Sequence, residues 1–221
     1  MTILLLIATF AIFLMIDYVR KEKRVTYSRT APAEVVAPRP RPIIVSGFKV
    51  PENFRYHPGH TWALQESPAL VRVGLDDFAA RLAGKIDSIQ LPKRGQWIRQ
   101  GQKFATILRD GNKADLVSPI EGEVTNINEN LVNDGSLACR DPYGNGWLMS
   151  VHSPDASTNF RNLLGGDVAR RWMAEAASRL QAKMPAFAGA VAQDGGEAVQ
   201  DLAAEIPGLK WNEVTAEFFL T

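Results

Sequence analysis

The chain has 221 residues, 46% of them apolar and 22% charged, with a formal net charge of +1. That length suits one ordinary domain with appendages, and the apolar share suits a packed core. A near-neutral balance implies no globally electrostatic partner, and the single Cys139 excludes an intrachain disulfide or a cysteine zinc site and fits a reducing compartment.

Thr2 to Ile16 is apolar throughout, with no charge and no turn former. As a helix it covers about 23 Å against a hydrocarbon core of roughly 30 Å, and Tyr18 and Val19 extend it toward the interface. A cleaved signal peptide is the rival reading, but the basic segment that should precede it is missing. Residues 1–19 therefore read as a single-pass transmembrane helix. Arg20-Lys21-Glu22-Lys23-Arg24 follows at once, so the positive-inside rule puts the globular body on the cytoplasmic side of the cytoplasmic membrane. Residues 20–47 carry Pro32, Pro38, Pro40 and Pro42 among basic residues and read as an extended linker.

Residues 48–184 read as the body. Ala69 to Gly74 alternates as a strand; Asp76 or Asp77 can cap a short helix through Phe78, Ala79 and Leu82, which Gly84 ends. Lys85 to Leu91 reads as a strand, Pro92 to Gln96 as a turn, and Trp97-Ile98 as the next strand. Two apolar runs, Phe104 to Leu108 and Leu116-Val117, flank Asp110-Gly111, a strong short signal for a tight hairpin. Val124 to Asn128 alternates again, Asp141 to Trp147 is dense in turn formers, and Leu148 to Val151 reads as a closing strand. Asp167 to Lys183 reads as a helix with Val168, Trp172, Met173, Ala176 and Leu180 on one face. Short strands at this spacing indicate an all-β sandwich or barrel with flanking helices.

Residues 185–221 form a C-terminal extension. Glu197 to Ile206 repeats Val199, Leu202, Ala203 and Ile206 at helical spacing. After Pro207-Gly208, the residues Trp211, Val214 and Phe218 recur at i, i+3 and i+7, with Phe219 beside them. This tail either docks in a partner's groove, with those four residues as anchors, or folds back on its own domain.

Gly101-x-x-Phe104, the hairpin, and Pro119-x-x-Gly122-Glu123-Val124 together resemble the carrier hairpin of the glycine cleavage system H protein family. His60-Thr61-Trp62, Val73 to Ala79, Leu82 to Ile86, Leu91-Pro92 and Asp141 to Leu148 fit that family in order, over roughly residues 54–173. The resemblance implies the barrel-sandwich hybrid of lipoyl and biotinyl carriers, and a lysine at the hairpin tip, eight residues before the proline, that carries lipoate. Counting back from Pro119 reaches Gly111, which has no amine. The nearest lysine, Lys113, stands about 6.6 Å further along the strand, on the flank rather than the tip.

The expectation is a non-catalytic, membrane-anchored accessory subunit on a degenerate, non-lipoylated carrier domain, in a larger membrane-associated complex such as a redox or respiratory one. It has other protein subunits as partners, no cofactor and no small-molecule substrate. Asp110, Gly111 and Asn112 form its vacant hairpin tip. The alternatives are an active carrier with lipoate on Lys113, or a tethered receptor for lipoate-handling enzymes. His57 and His60 stand three apart, too few ligands for a metal site, and read as structural or surface residues. No nucleophile elbow, phosphate loop or dinucleotide fingerprint is present, and no aromatic-studded basic face points to nucleic acid. An enzyme is not expected.

Overall fold

The computed structural model describes Met15 and residues 43–183, 198–202, 204 and 210–221. The apolar stretch Thr2–Ile16 thus lies, Met15 apart, outside the described residues. Among the described residues no helix is long and apolar enough to cross a membrane.

Among the described residues, eleven short strands run β1 (Ile44–Val45), β2 (Phe48–Lys49), β3 (Arg55–Tyr56), β4 (Thr61–Ser67), β5 (Leu70–Leu75), β6 (Ser88–Gln90), β7 (Trp97–Ile98), β8 (Lys103–Arg109), β9 (Asn112–Val117), β10 (Gly122–Ile127) and β11 (Met149–His152). The helices are α1 (Asp77–Ala83), α2 (Asn130–Asn133), α3 (Leu137–Arg140), α4 (Ala156–Arg161), α5 (Gly166–Lys183) and α6 (Trp211–Phe219). A six-stranded sheet has the order β3-β4-β5-β11-β10-β7, and a three-stranded sheet the order β6-β8-β9. All pairings are antiparallel. Half-buried alternating strands of this kind bury one face and leave the other to solvent.

The core is anchored on Trp62, fully buried on β4, whose indole N–H donates to the Pro142 carbonyl at 3.1 Å. Phe54 meets its ring edge-on at 4.9 Å. Opposite, Gly74 on β5 leaves room for the indole: a Cβ there would lie 2.3 Å from Cζ2 of Trp62. Gly74→Ala is therefore expected to cost about 2–3 kcal/mol through overpacking, read as a lowered denaturant midpoint. An unchanged midpoint would show that Trp62 can shift without penalty.

Helix α1 starts and stops where its sequence says. The Asp76 carboxylate accepts from the Ala79 amide at 2.8 Å, and Gly84 closes the helix with a positive φ and an amide bonded to the Ala80 carbonyl. Strand β6 is shorter than the Lys85–Leu91 reading: the Lys85 amide donates to the Asp201 carboxylate of the tail, while the Asp87 amide still bonds the Leu108 carbonyl. Helix α5 buries Ala169, Met173, Ala176, Ala177 and Leu180. Val168 does not belong to that stripe; it is exposed, while Trp172 is half-buried and stacks near His60.

The tail closes the body. Residues 198–202 are not helical. They hold to the domain through Ala198 N–H to the Gly47 carbonyl (2.9 Å) and Leu202 N–H to the Arg81 carbonyl (3.0 Å), and Leu202 is buried. Ala203 and Ile206 of the expected helix lie outside the described residues. Helix α6 then lies along β9 and α1.

Candidate functional site: the hairpin tip

Strands β8 and β9 pair Leu108 with Lys113 and Arg109 with Asn112, which leaves Asp110 and Gly111 as a two-residue loop. Their φ values, 47° and 77°, are both left-handed, as the tight turn that matches strand twist requires. Asp-Gly supplies that geometry at little strain. A Cβ built on Gly111 meets nothing within 4 Å, so the tip faces open space. Lys113 is exposed but sits within β9, opposite Leu108. Tip and lysine are thus separate places, as the spacing indicates.

The tip is held from both sides. The Asp110 amide donates to the Asp87 carboxylate at 2.7 Å, and Asn212 of α6 donates its side-chain amide to the Asn112 side-chain oxygen at 3.0 Å. Just below, Arg109 makes a two-pronged contact with Asp201, Nη1–Oδ1 at 2.8 Å and Nη2–Oδ2 at 3.1 Å, and also donates to the Ala83 carbonyl at 2.7 Å. Burial opposes the Asp201 charge. The Arg109 fork and the amides of Ala204 and Lys85 outweigh it and hold that carboxyl below its usual range. Cys139 lies close by, its thiol pushed up to about 12 by burial, which makes it a packing residue rather than a nucleophile at neutral pH.

The four aromatic and aliphatic residues of the tail come together on one helix, but against their own domain. Trp211 is buried and its indole donates to the Leu82 carbonyl at 3.2 Å. Phe218 packs on Phe78 at 5.0 Å, with the Arg179 guanidinium over its face at 5.3 Å. Phe219 is fully buried, and Val214 packs half-buried on the core. Of the two readings of Trp211, Val214, Phe218 and Phe219, the structure therefore has the second, a tail folded back on its own domain. The groove between β9 and α1 is apolar, and the chain's own tail fills it. Sequence reasoning missed Arg109, Asp201, Asp87 and Asn212; nothing local marks them, since Arg109 and Asp201 stand 92 residues apart.

His60 is fully buried, its Nδ1 2.8 Å from the Asp76 carboxylate. The ring stacks on Phe78 at 4.2 Å and tilts on Trp172 at 4.5 Å. It links the turn before β4 to the cap of α1. His57 is held below its ordinary pKa range by burial and by His60, and its Nδ1 accepts from the Gly59 amide. The described residues contain no group of three or more potential metal ligands. What this arrangement offers chemically is a rigid loop of backbone and short polar side chains, with no amine at its apex.

The family model for the glycine cleavage H-protein matches residues 54–176. A glycine cleavage system H protein of Mycobacterium avium is 34% identical over 108 residues, which is 49% of this chain and 82% of that protein. A probable glycine cleavage system H protein of Natronomonas pharaonis is 36% identical over 120 residues, 54% of this chain and 93% of that protein. The crystal structure of a glycine cleavage system H protein from Mycobacterium marinum aligns with a TM-score of 0.49 at 27% identity, covering 57% of this chain and 98% of that one. The fold and the ordered motifs place a carrier-type β domain here, and the chain belongs to the glycine cleavage H-protein family. Residues beyond 176, including the whole of α6, lie outside the matched region.

Proposed function

We propose that this chain is a non-catalytic, membrane-tethered accessory subunit whose H-protein domain carries no lipoate. The observation behind this reading is Gly111 at the hairpin apex, where the family resemblance implies a lysine. A lipoyl amide needs a side-chain amine, and a swinging arm needs that amine at the point furthest from the body, because transfer depends on placing the reactive group accurately in a partner's site. Strapping of the hairpin by Asp201 and Asn212 supports a surface that is read as a shape. The apolar stretch Thr2–Ile16 and the basic, proline-rich residues after it support a tether in the cytoplasmic membrane, with the domain on the cytoplasmic side and other subunits, in a redox or respiratory assembly, as partners.

An active carrier modified on Lys113 is the second reading, favoured only by the exposure of that lysine. Intact mass of the chain from lipoylation-competent cells separates the two. The wild type and Lys113→Arg are both expected to run at the unmodified mass. Gly111→Lys, which costs about 1–2 kcal/mol for its left-handed backbone, is expected to gain one lipoyl increment because the tip is open. A wild-type increment that disappears in Lys113→Arg would overturn the scaffold reading in favour of the carrier.

A further inference from the structure

Arg109 ends strand β8 just below the tip, and the end of α1 fixes its place. Its Nη1 donates to the Ala83 carbonyl at 2.7 Å, where a cation meets the negative end of the helix dipole. Gly84 then turns the chain with a φ of 65°, and the Lys85 amide converges with the guanidinium on one point. Gly84 also leaves that point open: a Cβ there would lie 2.1 Å from Asp201 Oδ1 and 2.2 Å from Arg109 Nη1. Residues 83–85 and Arg109 thus form a cradle with three donors, the Lys85 amide and both Nη groups.

The Asp201 carboxylate fills it. Oδ1 accepts from Nη1 at 2.8 Å, and Oδ2 accepts from Nη2 and from the Lys85 amide, both at 3.1 Å. A further bond to Oδ1, from the Ala204 amide at 3.0 Å, comes from the occupant's own segment. A carboxylate offers about four acceptor sites, so this one is fully met. The next residue, Leu202, is buried, and its amide donates to the Arg81 carbonyl. The Ala198 amide does the same to Gly47. Residues 198–202 therefore sit on the domain as a bound peptide would, with a backbone bond near each end, an acid in a polar cradle and a leucine in the core.

Two features make this carboxylate a ligand of the domain. The cradle lies within residues 54–176, which match the family model, and the occupant lies outside them. The ion pair also keeps an opening to solvent, with Asp201 26% and Arg109 12% exposed. Asp110 stands 3.6 Å from Arg109 Nε, but its exposed carboxylate is too well solvated to replace a cradled counter-ion.

We infer that residues 83–85 and Arg109 form a carboxylate-binding site that the chain fills in cis with Asp201-Leu202, and that an acidic peptide presenting the same Asp-Leu pair takes that place in trans. The tail is then a tethered competitor: a linked ligand has an effective concentration on the order of millimolar, which an outside acid must overcome. The site stands apart from the tip and depends neither on a membrane tether nor on lipoate.

The test uses the full chain in mild detergent and a fluorescent peptide copying residues 197–204 (EAVQDLAA), with binding read by anisotropy. Asp201→Gly/Leu202→Gly empties the site and leaves α6 its own anchors, the buried Trp211, Phe218 and Phe219. This variant is expected to bind the peptide at least about tenfold more tightly than wild type does. Asp201→Asn in the peptide, or Arg109→Gln added to the variant, is expected to weaken binding about tenfold or more. The near-isosteric Asp201→Asn chain keeps the leucine and carries the same test if the double variant does not fold, its weakened cis occupant giving tighter peptide binding than wild type. No binding to a folded variant, equal binding to wild type and variant, or equal binding of the aspartate and asparagine peptides overturns the site and leaves Arg109–Asp201 a structural ion pair.

Discussion

Replacing Phe218 by alanine is expected to lower the free energy of unfolding by about 3–5 kcal/mol, the cost of emptying a well-packed aromatic site. Phe218 is 1% exposed and touches three separate parts of the fold: Phe78 on α1, His60 in the turn before β4 at 6.1 Å, and Arg179 on α5. Because these neighbours belong to different elements, they cannot collapse together into the space. Leu220, 55% exposed in a left-handed cap just after α6, provides the control; Leu220→Ala should stay within about 0.5 kcal/mol. Equilibrium denaturation in mild detergent measures both. If Phe218→Ala behaved like Leu220→Ala, the tail would be a loosely held appendage, and a partner-binding role for its aromatic residues would be open again. The expected result instead makes the tail part of the domain. It also directs the search for partner surfaces to the faces α6 leaves uncovered.

Asp77→Ala is expected to cost a further amount of the same order, about 3–5 kcal/mol, because it breaks a buried ion pair from one side. Asp77 and Arg81 are one helical turn apart on α1, with Nε–Oδ2 at 3.0 Å and side-chain exposures of 6% and 3%. The same carboxylate oxygen accepts the Lys49 amide at 2.9 Å, which ties β2 to the helix. The pair is not a free gain in stability. Burial raises the Asp77 carboxyl above its ordinary value, and Arg81 and the Lys49 amide offset this only in part. A group with a raised folded pKa stabilises the fold fully below its unfolded value, here 3.8, and loses that contribution as pH rises through the folded value. The stability of wild type minus that of Asp77→Asn should therefore shrink as pH climbs through this window, by at most about 1.4 kcal/mol per unit. Pairing Asp77→Ala with Arg81→Met should recover part of the alanine loss, since it removes the buried cation together with the carboxylate that faces it. A single Asp77→Ala costing under about 1 kcal/mol would mean that solvent or the other contacts of Arg81 make up for the lost carboxylate.

Much of the domain was legible because its signals are local. Asp110-Gly111 marked its own turn, and Asp76 and Gly84 marked the ends of α1, since backbone preferences and caps act within a few residues. The helical spacing of Trp211, Val214 and Phe218 likewise foretold α6. Helix α5 was read correctly along its length but not around its circumference. Val168 fits an apolar stripe by spacing, yet the stripe that is buried runs through Ala169, Met173, Ala176, Ala177 and Leu180, one residue further round the helix. The shortening of β6 was hidden for a related reason: the Lys85 amide finds its partner in the distant Asp201 carboxylate rather than in a neighbouring strand.

What the sequence alone determined is the chemistry absent from the apex. Gly111 brings no amine wherever the chain folds, because that follows from the residue itself. Only the tertiary structure decided the rest. It chose between a partner's groove and the domain's own for Trp211 and Phe218, joined Arg109 to Asp201, and left Trp97 outside. Burial and long-range pairing depend on which surfaces the chain brings back to meet one another, and no window of neighbouring residues contains that information.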